Sequence, residues 1–393
     1  MNTIANLRLA CVVWVTSWLM ACGGGSVGYQ PLPAVDVSSV SEGTRTSTLS
    51  SGWRDGAFMQ IFIRSYQDSN GDGVGDIRGL IARLDYLRDM GVTGLWLMPM
   101  HPSQDRDHGY AVQDYRAIAP EYGSEQDFQE LLNAAHERGI GIIMDYVLNH
   151  SAARHPAFQN ASASTSNPFR DWYVWSAGMP SQWSVYGSNP WRSAGTGYYY
   201  APFWDQMPDF NLKNQKVVDW HLDNLRYWLN MGVDGFRFDA VGNLIENGPQ
   251  AWESQPENHA LMHTVHDAIH RYDGRFMVCE APGAPLEFGR SDSCASAFAF
   301  GYQYDLVRAA QGDAPSLGRV AAYWRGAPEG MVGFASNHDS FAGQRLADQL
   351  GGDQARMKLA AATYLLQTRR PFIYYGEEAV SYTHLTLPTN REV

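Results

Sequence analysis

Eight short apolar runs recur along the chain from Phe58 onward, and stretches with helical periodicity separate many of them. A strand that buries both faces is nearly continuous in apolar residues, so each run predicts a central strand of a parallel sheet. The runs lie at residues 58–63, 94–98, 141–145, 235–239, 276–280, 298–302, 331–335 and 372–375. Eight strands that alternate with helices predict an α/β fold, the TIM or (β/α)8 barrel.

The helical pattern is clearest before the fourth run. Val218, Leu222, Leu225 and Leu229 follow one another at spacings of three and four residues, which places them on one helix face. Gly232 comes just after this pattern, where a left-handed helix end favours glycine. The segment therefore predicts a helix that packs its apolar face against the barrel.

The same pattern gives the domain organisation. The barrel is predicted over residues 53–150 and 214–380, with a small irregular subdomain at 151–213 inserted after the third strand, because a structureless loop of that length is improbable. Residues 23–52 are rich in Gly, Ser and Thr without a period, which predicts a flexible tether. Residues 381–393 break the pattern with Pro388 and are expected to be a non-native tail.

The first 22 residues indicate export. Arg8 precedes an apolar stretch that is too short to span a membrane and ends at Leu19-Met20-Ala21-Cys22. This resembles a bacterial lipoprotein signal with Cys22 as the lipid-bearing residue; the alternative is an ordinary secretory signal. We expect an outer-membrane lipoprotein, or a periplasmic or extracellular protein, that touches the membrane only through this anchor.

Charge and cysteine content narrow the chemistry. The 29 basic and 41 acidic residues give a net charge of −12 without a basic block, which argues against nucleic-acid binding. Apart from the leader cysteines, only Cys279 and Cys294 remain. They could form a disulfide, but Cys279 lies within a predicted buried strand, so free buried thiols are the favoured interpretation.

Three acidic residues, Asp239, Glu280 and Asp339, follow predicted strands. The carboxyl ends of parallel barrel strands meet at one rim, and paired carboxylates at such a rim suit glycosidic-bond cleavage. Arg237 lies two residues before Asp239, so on a strand both side chains point the same way and the guanidinium keeps the carboxylate ionised. Glu280 has apolar neighbours, which should keep it protonated. The alternative is a structural ion-pair network or helix caps.

These residues carry a family resemblance over roughly residues 52–378. The motifs, in chain order, are DYVLNH at 145–150, MPDFN at 207–211, GFRFD at 235–239, Glu280 and NHD at 337–339. They resemble the ordered strand-end regions of the α-amylase family of glycoside hydrolases. The MPD segment is similar to bacterial members between oligo-1,6-glucosidases and neopullulanases. The resemblance implies a (β/α)8 barrel usually followed by a C-terminal β-sandwich domain, which this chain would lack.

The resemblance also implies roles. Asp239 would be the nucleophile, Glu280 the proton donor and Asp339 a carboxylate that grips sugar hydroxyls in the transition state. The substrate contacts it implies come from one side chain on the nucleophile strand and five on neighbouring loops, namely Arg237, Asp107, His108, Tyr110, His150 and His338. The implied reaction is retaining hydrolysis of internal α-1,4-glucosidic bonds in starch or maltooligosaccharides by a monomeric enzyme.

The loop after the first strand has side-chain oxygens at alternating positions among glycines. Such a set suits a hard Ca²⁺ ion, and the proposed ligands are Asp68, Asn70, Asp72, the Val74 carbonyl and Asp76. It lacks the bidentate glutamate of an EF-hand, and the alternative is a metal-free turn rich in Asx residues. Asn149 is a candidate for a second calcium site where the inserted subdomain meets the barrel.

One departure from the family leaves the specificity open. Where relatives often carry Lys or His shortly after the nucleophile, this chain has Gly242 and Asn243. An α-glucosidase, an oligo-1,6-glucosidase or a glucosyl transferase acting on short α-glucans is therefore one alternative, which Ala281 after Glu280 disfavours only weakly for the 1,6-specific type. A non-catalytic glucan-binding protein is the other.

Overall fold

A computed structural model describes residues 34–44, 46–105 and 108–379. The predicted signal segment with Cys22, the first part of the tether, Asp107 and the predicted tail at 381–393 lie outside these ranges. Within them, no helix combines the length and the hydrophobicity needed to cross a bilayer.

Eight parallel strands close into a barrel, as the alternating apolar runs predict. The barrel strands are β1 (Ala57–Ile61), β2 (Val92–Leu97), β3 (Gly141–Tyr146), β7 (Gly235–Phe238), β8 (Phe276–Cys279), β9 (Ala297–Phe298), β10 (Met331–Phe334) and β11 (Pro371–Tyr374). They are joined in the order β1-β11-β10-β9-β8-β7-β3-β2, and β2 pairs with β1. The predicted TIM barrel is confirmed.

The largest difference from the predicted strands is at β9, which is only two residues long and ends four residues before the predicted limit. The chain turns at Gly301, whose φ of 91° lies in the left-handed region. Tyr302 then begins a helix, so the apolar residues after Phe298 pack as a turn and a helix rather than as a strand. An apolar run alone does not distinguish these two buried conformations.

The remaining elements surround the barrel or form the inserted subdomain. The helices are α1 (Ile77–Ile81), α2 (Leu84–Asp89), α3 (Glu125–His136), α4 (Pro156–Ala163), α5 (Gln215–Met231), α6 (Pro256–His270), α7 (Pro285–Phe288), α8 (Tyr302–Ala310), α9 (Ala314–Gly326), α10 (Leu346–Gln349) and α11 (Gln354–Gln367). In α5 the four predicted apolar positions are buried, and Gly232 ends the helix at φ 117°. Both features agree with the sequence pattern.

The segment between β3 and β7 is more regular than the sequence suggests. It contains α4 and a three-stranded antiparallel sheet of β4 (Trp175–Ser176), β5 (Trp191–Ala194) and β6 (Gly197–Tyr200), in the order β4-β6-β5. Trp191 and Tyr200 pack with Val185 in a small core of their own. Aromatic side chains therefore stabilise the insertion, which covers the rim beside β3 and β7.

Aromatic rings fill the inside of the barrel. Phe58 of β1 stacks on Phe372 of β11 with ring centroids 4.7 Å apart. Gly94 on the neighbouring strand makes room for this packing, because a Cβ atom there would lie 2.3 Å from the Phe58 ring. Trp96 and Phe298 complete the layer below the functional rim.

The expectation of free thiols at Cys279 and Cys294 is wrong, because the two cysteines form a disulfide. Cys279 ends β8, and the chain returns through α7 to place Cys294 beside it, with 6.3 Å between the Cα atoms. Both cysteines are buried, as expected, but burial does not exclude pairing. The return of the chain after Pro285 could not be seen in the sequence.

Candidate active site

The three predicted acids converge at the carboxyl-terminal rim of the barrel. Asp239 and Glu280 directly follow β7 and β8, which are hydrogen-bonded neighbours. Asp339 lies five residues beyond β10 and begins a short 3-10 helix at Ser340–Ala342. Parallel strands bring their carboxyl ends to one edge, and the rim therefore concentrates negative charge in one place.

Arg237 holds three carboxylates at once. Its Nη1 lies 2.6 Å from Asp239 Oδ1 and 2.9 Å from Asp145 Oδ1, while Nη2 lies 2.7 Å from Glu280 Oε2. The guanidinium is 1% exposed, so these bonds form in a desolvated setting where each is strong. The predicted pairing of Arg237 with Asp239 is confirmed, and the bond to Glu280 is additional.

Asp145 belongs to this network but was not among the site residues predicted from the sequence. It lies opposite Arg237 in the register of β3 and β7, and it is buried. Its Oδ2 accepts hydrogen bonds from Trp96 Nε1 at 3.1 Å and from Tyr110 Oη at 3.0 Å. Asp145 begins the DYVLNH motif at the end of β3, and β3 pairs with β7, the strand that carries Arg237. This position in the motif could have indicated that Asp145 belongs to the site.

The environment separates the acids by their ease of protonation. Burial raises the pKa of Glu280 to about 8, against the lowering effect of Arg237 and with a further rise from the charges of Asp239 and Asp339. Burial raises the pKa of Asp239 to about 6, where Arg237 again opposes the shift. Near neutral pH the site therefore holds an ionised Asp239 beside a protonated Glu280, the pairing that acid–nucleophile chemistry needs.

A chain of hydrogen bonds orders the other face of the site. Gln60 Nε2 donates to His338 Nδ1 at 2.8 Å, so the ring nitrogen that carries hydrogen is Nε2, which lies 2.7 Å from Tyr110 Oη. The Tyr110 hydroxyl is then free to donate to Asp145. Gln60, buried on β1, thus fixes the tautomer of His338, and sequence reasoning missed it because a strand glutamine carries no motif.

Tyr110 is placed at the site but is not an open platform. Its ring is stacked on His338, with centroids 5.5 Å apart and planes 10° apart, and the residue is 9% exposed. One ring face is therefore covered by protein. A sugar could contact only the other face and the edge.

His150 and His108 differ in their surroundings. His150 is buried; its Nδ1 lies 3.3 Å from the amide of Asn149, and its Nε2 has no hydrogen-bond partner among the residues the structure describes. Burial lowers the pKa of His150 to about 4, so it is a neutral donor. His108 is stacked near Phe62 and lines a cavity of about 570 Å³ together with His338 and Asp339.

The oxygen-rich loop after β1 is folded by its own side chains. Asp68 Oδ1 and Oδ2 accept backbone N–H groups of Gly71 and Gly73 at 2.7 and 2.8 Å. Asp72 Oδ1 accepts from the Val74 N–H at 2.8 Å, and Asp76 caps α1 by accepting from Gly79 at 2.7 Å. These are the bonds of an Asx-rich turn, and they leave the all-oxygen donor set, including the Val74 carbonyl, chemically suited to Ca²⁺.

A second group of oxygens lies where the inserted subdomain meets the barrel. Asp209 is buried, and neither of its carboxylate oxygens has a hydrogen-bond partner among the described residues; the same holds for Asn149 Oδ1. Burial, with the nearby Glu246 carboxylate, raises the pKa of Asp209 well above its usual range. Buried carboxylates without partners are costly, so a bound cation would satisfy them.

Comparison with known proteins places the chain among carbohydrate-active enzymes. Residues 60–389 match the profile described as "Alpha amylase, catalytic domain". "Alpha-amylase 3" of Dictyoglomus thermophilum is 35% identical over 333 residues, which are 83% of this chain and 64% of that protein. An oligo-1,6-glucosidase of Parageobacillus thermoglucosidasius is 31% identical, over 86% of this chain and 67% of that protein.

Solved structures agree with this placement. The α-amylase from H. orenii superposes with a TM-score of 0.73 at 35% identity and covers 83% of this chain and 69% of its own. The α-glucosyl transfer enzyme XgtA gives a TM-score of 0.72 at 31% identity, covering 84% and 69%. The chain spans about two-thirds of the length of such relatives.

Proposed function

The chain belongs to the α-amylase family of glycoside hydrolases, and from that premise we propose that it hydrolyses internal α-1,4-glucosidic bonds of starch or maltooligosaccharides. The observation that carries the proposal is the single guanidinium of Arg237 bound to both Asp239 and Glu280. It orients the two carboxyl groups towards one reacting bond. A binding protein would have no use for two carboxyl groups held apart in protonation, so the same observation disfavours the non-catalytic alternative.

Asp239 and Glu280 have different tasks in the proposed reaction. Arg237 occupies Asp239 Oδ1, which leaves Oδ2 to attack the anomeric carbon as the protonated Glu280 gives its proton to the departing glycosidic oxygen. The resulting glycosyl–Asp239 ester is then broken by water, from which Glu280 takes a proton. Two inversions at the same carbon give overall retention of configuration.

The geometry favours the retaining route. Retaining enzymes hold their carboxyl groups about 5–5.5 Å apart, whereas inverting enzymes need about 6.5–9.5 Å to admit a water molecule. Bridging by the two nitrogens of Arg237 supports the shorter spacing. Arg237 Nη2 and the Ala240 N–H both donate hydrogen bonds to Oε2 of Glu280. Oε1 therefore remains to carry the proton that is transferred.

The second candidate is an α-glucosidase, an oligo-1,6-glucosidase or a transferase acting on short α-glucans. It is favoured by the names of relatives, which include an oligo-1,6-glucosidase and, at 32% identity, a trehalose synthase/amylase of Mycolicibacterium smegmatis. The site chemistry is the same for all these reactions. They differ in how many sugars fit on each side of Asp239 and in what accepts the glycosyl group.

We also propose calcium as a structural cofactor. The donors would be Asp68, Asn70, Asp72, Val74 and Asp76 in the first loop, and Asn149 with Asp209 at the subdomain junction. An ion would supply charge neutralisation at both places. At the junction it would hold the inserted subdomain against the strand that carries Asp145, since Asn149 lies three residues beyond the end of that strand.

We further propose export, with the lipid anchor at Cys22 that the leader predicts. The Cys279–Cys294 disulfide supports this, because structural disulfides form and persist in oxidising compartments. Labelling of the intact protein with a radioactive fatty acid, lost in C22A, would test the anchor. Retained label in that variant would contradict it.

The test of the proposed function is a product profile on maltoheptaose and soluble starch, with D239N as the inactive control. We expect oligosaccharides of several lengths whose new reducing ends are α anomers when first observed by proton NMR. Release of glucose alone would refute internal cleavage and favour the α-glucosidase alternative. Unchanged activity in D239N would refute the assigned nucleophile.

A further inference from the structure

Helix α6, which connects β7 to β8, carries a row of histidines. Four of the chain's twelve histidines lie on it, namely His259, His263, His266 and His270. Spacings of four, three and four residues place them on one face of the helix. Histidine is a poorer helix former than Ala, Leu, Glu or Lys, so helix stability alone does not favour this choice of residues.

The row lies beside the face of α6 that packs against the barrel. Each histidine directly follows one residue of that buried face, which consists of Asn258, Met262, Val265 and Ile269. The imidazoles themselves keep contact with solvent: the side chain of His263 is 46% exposed and that of His266 is 21% exposed. An ion from solution can therefore reach the row without any change in the core.

Three side chains in the second half of α6 bring ligand atoms together. One ligand atom each of His263, His266 and Asp267 lies within 4.8 Å of the other two. Asp267 Oδ2 is 3.7 Å from Nε2 of His263, and Asp267 Oδ1 is 3.3 Å from Nδ1 of His266. The carboxylate thus stands between the two imidazoles and turns one oxygen toward each.

These spacings are close to those that a tetrahedral metal ion requires. Bonds of about 2.0–2.1 Å from Zn²⁺ to nitrogen or oxygen place the ligand atoms about 3.3–3.4 Å apart. The separation of Asp267 from His266 already has this value, and the separation from His263 exceeds it by a few tenths of an ångström. Because Asp267 is 59% exposed, rotation of its side chain and that of His263 closes the difference.

His270 holds the most buried of these ligands in place. Its Nδ1 donates to the carbonyl of His266 at 2.8 Å, and its ring stacks on the His266 ring with centroids 3.9 Å and planes 25° apart. A ligand that is already oriented loses less freedom when an ion binds. His266 is therefore the fixed member of the group, on which the more mobile His263 and Asp267 can close.

The group lies away from the catalytic rim. Strands β7 and β8 are parallel neighbours, so the helix between them must run back from the rim to the opposite end of the barrel. α6 begins at Pro256 on the rim side and ends at His270, six residues before β8. His263, His266 and Asp267, in its second half, therefore take no part in the proposed hydrolysis.

We propose that His263, His266 and Asp267 form a surface site for a borderline divalent ion of the Zn²⁺, Co²⁺ or Ni²⁺ class. Two imidazoles and one carboxylate match the preference of these ions, and water completes the shell. Ca²⁺ takes six to eight oxygen ligands, so this site is chemically distinct from the proposed calcium sites. The ion joins residues across one helical turn and stabilises the folded protein by binding to it.

Calorimetric titration of the intact protein with ZnCl2 tests the site, in buffer with excess CaCl2 to fill the oxygen sites. We expect one equivalent to bind and to be lost in H263A/H266A. D267N should lower the affinity by at least about tenfold, since loss of an outer-shell partner alone has such an effect. Added Co²⁺ should give the visible absorption of a nitrogen-ligated ion in the unmodified protein and not in H263A/H266A.

His259 provides the matched control, because it belongs to the same row but is engaged elsewhere. Its Nδ1 is hydrogen-bonded to Ser293 Oγ at 2.9 Å, and its ring stacks on Phe288 with centroids 4.1 Å apart. We expect H259A to bind Zn²⁺ like the unmodified protein. D239N should also bind normally, so the result does not depend on the proposed catalytic function.

Thermal unfolding separates loss of the site from loss of the fold. Alanine favours a helix, so H263A without metal should keep the Tm of the unmodified protein, whereas added ZnCl2 should raise the Tm of the unmodified protein but not that of H263A/H266A. Absence of binding to the unmodified protein, or equal binding by H263A/H266A, would overturn the inference. Loss of binding in H270A with normal binding in H263A would overturn the assigned ligands.

Discussion

Replacing Asp145 by asparagine tests whether the buried carboxylates act as one electrostatic unit. Asp145 and Asp239 share Nη1 of Arg237, at 2.9 and 2.6 Å. In D145N the guanidinium would face one competitor fewer. The negative charge of Asp145, which raises the pKa of Asp239, would also be gone. Both changes favour ionised Asp239, so its pKa should fall.

The size of the shift follows from the geometry. Two oxygens that lie 2.6 and 2.9 Å from one nitrogen atom are at most about 5.5 Å apart. At an effective dielectric constant of about 20, unit charges at this spacing interact by about 3 kcal/mol, or about two pKa units. The pKa of Asp239, about 6 in the unmodified protein, should therefore move towards about 4. The catalysed rate at neutral pH should also decrease, because Arg237 loses one of the bonds that orient it.

The assay is the pH dependence of kcat/KM for α-maltosyl fluoride, whose leaving group needs no proton from Glu280. The acid limb of this profile then reports Asp239 alone, since activity is lost as pH falls through its pKa. Asp145 accepts hydrogen bonds from Trp96, Tyr110 and Arg237, and an asparagine offers one acceptor oxygen in place of two. At least one of these buried donors therefore loses its partner, and we expect the free energy of unfolding to fall by about 1–3 kcal/mol. Thermal unfolding measures this loss separately.

D234N is the matched control. Asp234 is equally buried and pairs with His136 at 2.7 Å, but it precedes β7 at the opposite end of the strand from Asp239. We expect D234N to lower stability while the acid limb stays in place. The reasoning is refuted if the acid limb of folded D145N moves to higher pH or coincides with that of the unmodified protein.

Three further outcomes are expected. E280Q should lose about 10²- to 10⁴-fold in kcat on maltoheptaose and much less on α-maltosyl fluoride, and equal losses would contradict its role as proton donor. In the unmodified protein, kcat/KM on maltoheptaose should fall as pH rises through about 8, where Glu280 loses its proton, and this limb should be missing with the fluoride. C279S/C294S should unfold with about 3 kcal/mol less free energy in denaturant titrations, because the disulfide closes a loop of 15 residues; an unchanged midpoint would contradict this.

Parts of the site that depend on local pattern were predictable, and parts that depend on packing were not. The positions of Asp239 and Glu280 at strand ends were predictable, because each residue directly follows a short apolar run that forms a buried strand. The tautomer of His338 could not, because Gln60 is far away in sequence and meets it only when β1 closes the barrel against β11. The prediction of free thiols was wrong for the same reason, since the disulfide depends on how the chain returns after β8.

The inserted subdomain shows the limit most clearly. Its composition suggested an irregular segment, yet a small sheet organises it, and Tyr186 in the loop before β5 donates a hydrogen bond to Asn243 after β7. Aromatic residues in loops were recognisable as unusual, but their partners were not. The contacts of Tyr186 with Asn243 and of Phe203 with His150 join positions far apart in sequence, so they depend on the folded structure.

The charges and the burial at the rim explain why Asp239 and Glu280, the two proposed catalytic groups, differ in protonation. Among the described residues, Arg237 is the one cation bonded to Asp145, Asp239 and Glu280, and Asp339 adds a fourth carboxyl group whose charge also acts on Glu280. If the three carboxyl groups bonded to Arg237 were all ionised, their charges would exceed that of the guanidinium by two in a desolvated setting, so a proton is retained. Burial raises the pKa of Glu280 to about 8 but that of Asp239 only to about 6, although Glu280 receives two donors, Arg237 Nη2 and the Ala240 N–H. The proton therefore stays on Glu280, because the cost of burying its charge outweighs the bonds that stabilise that charge.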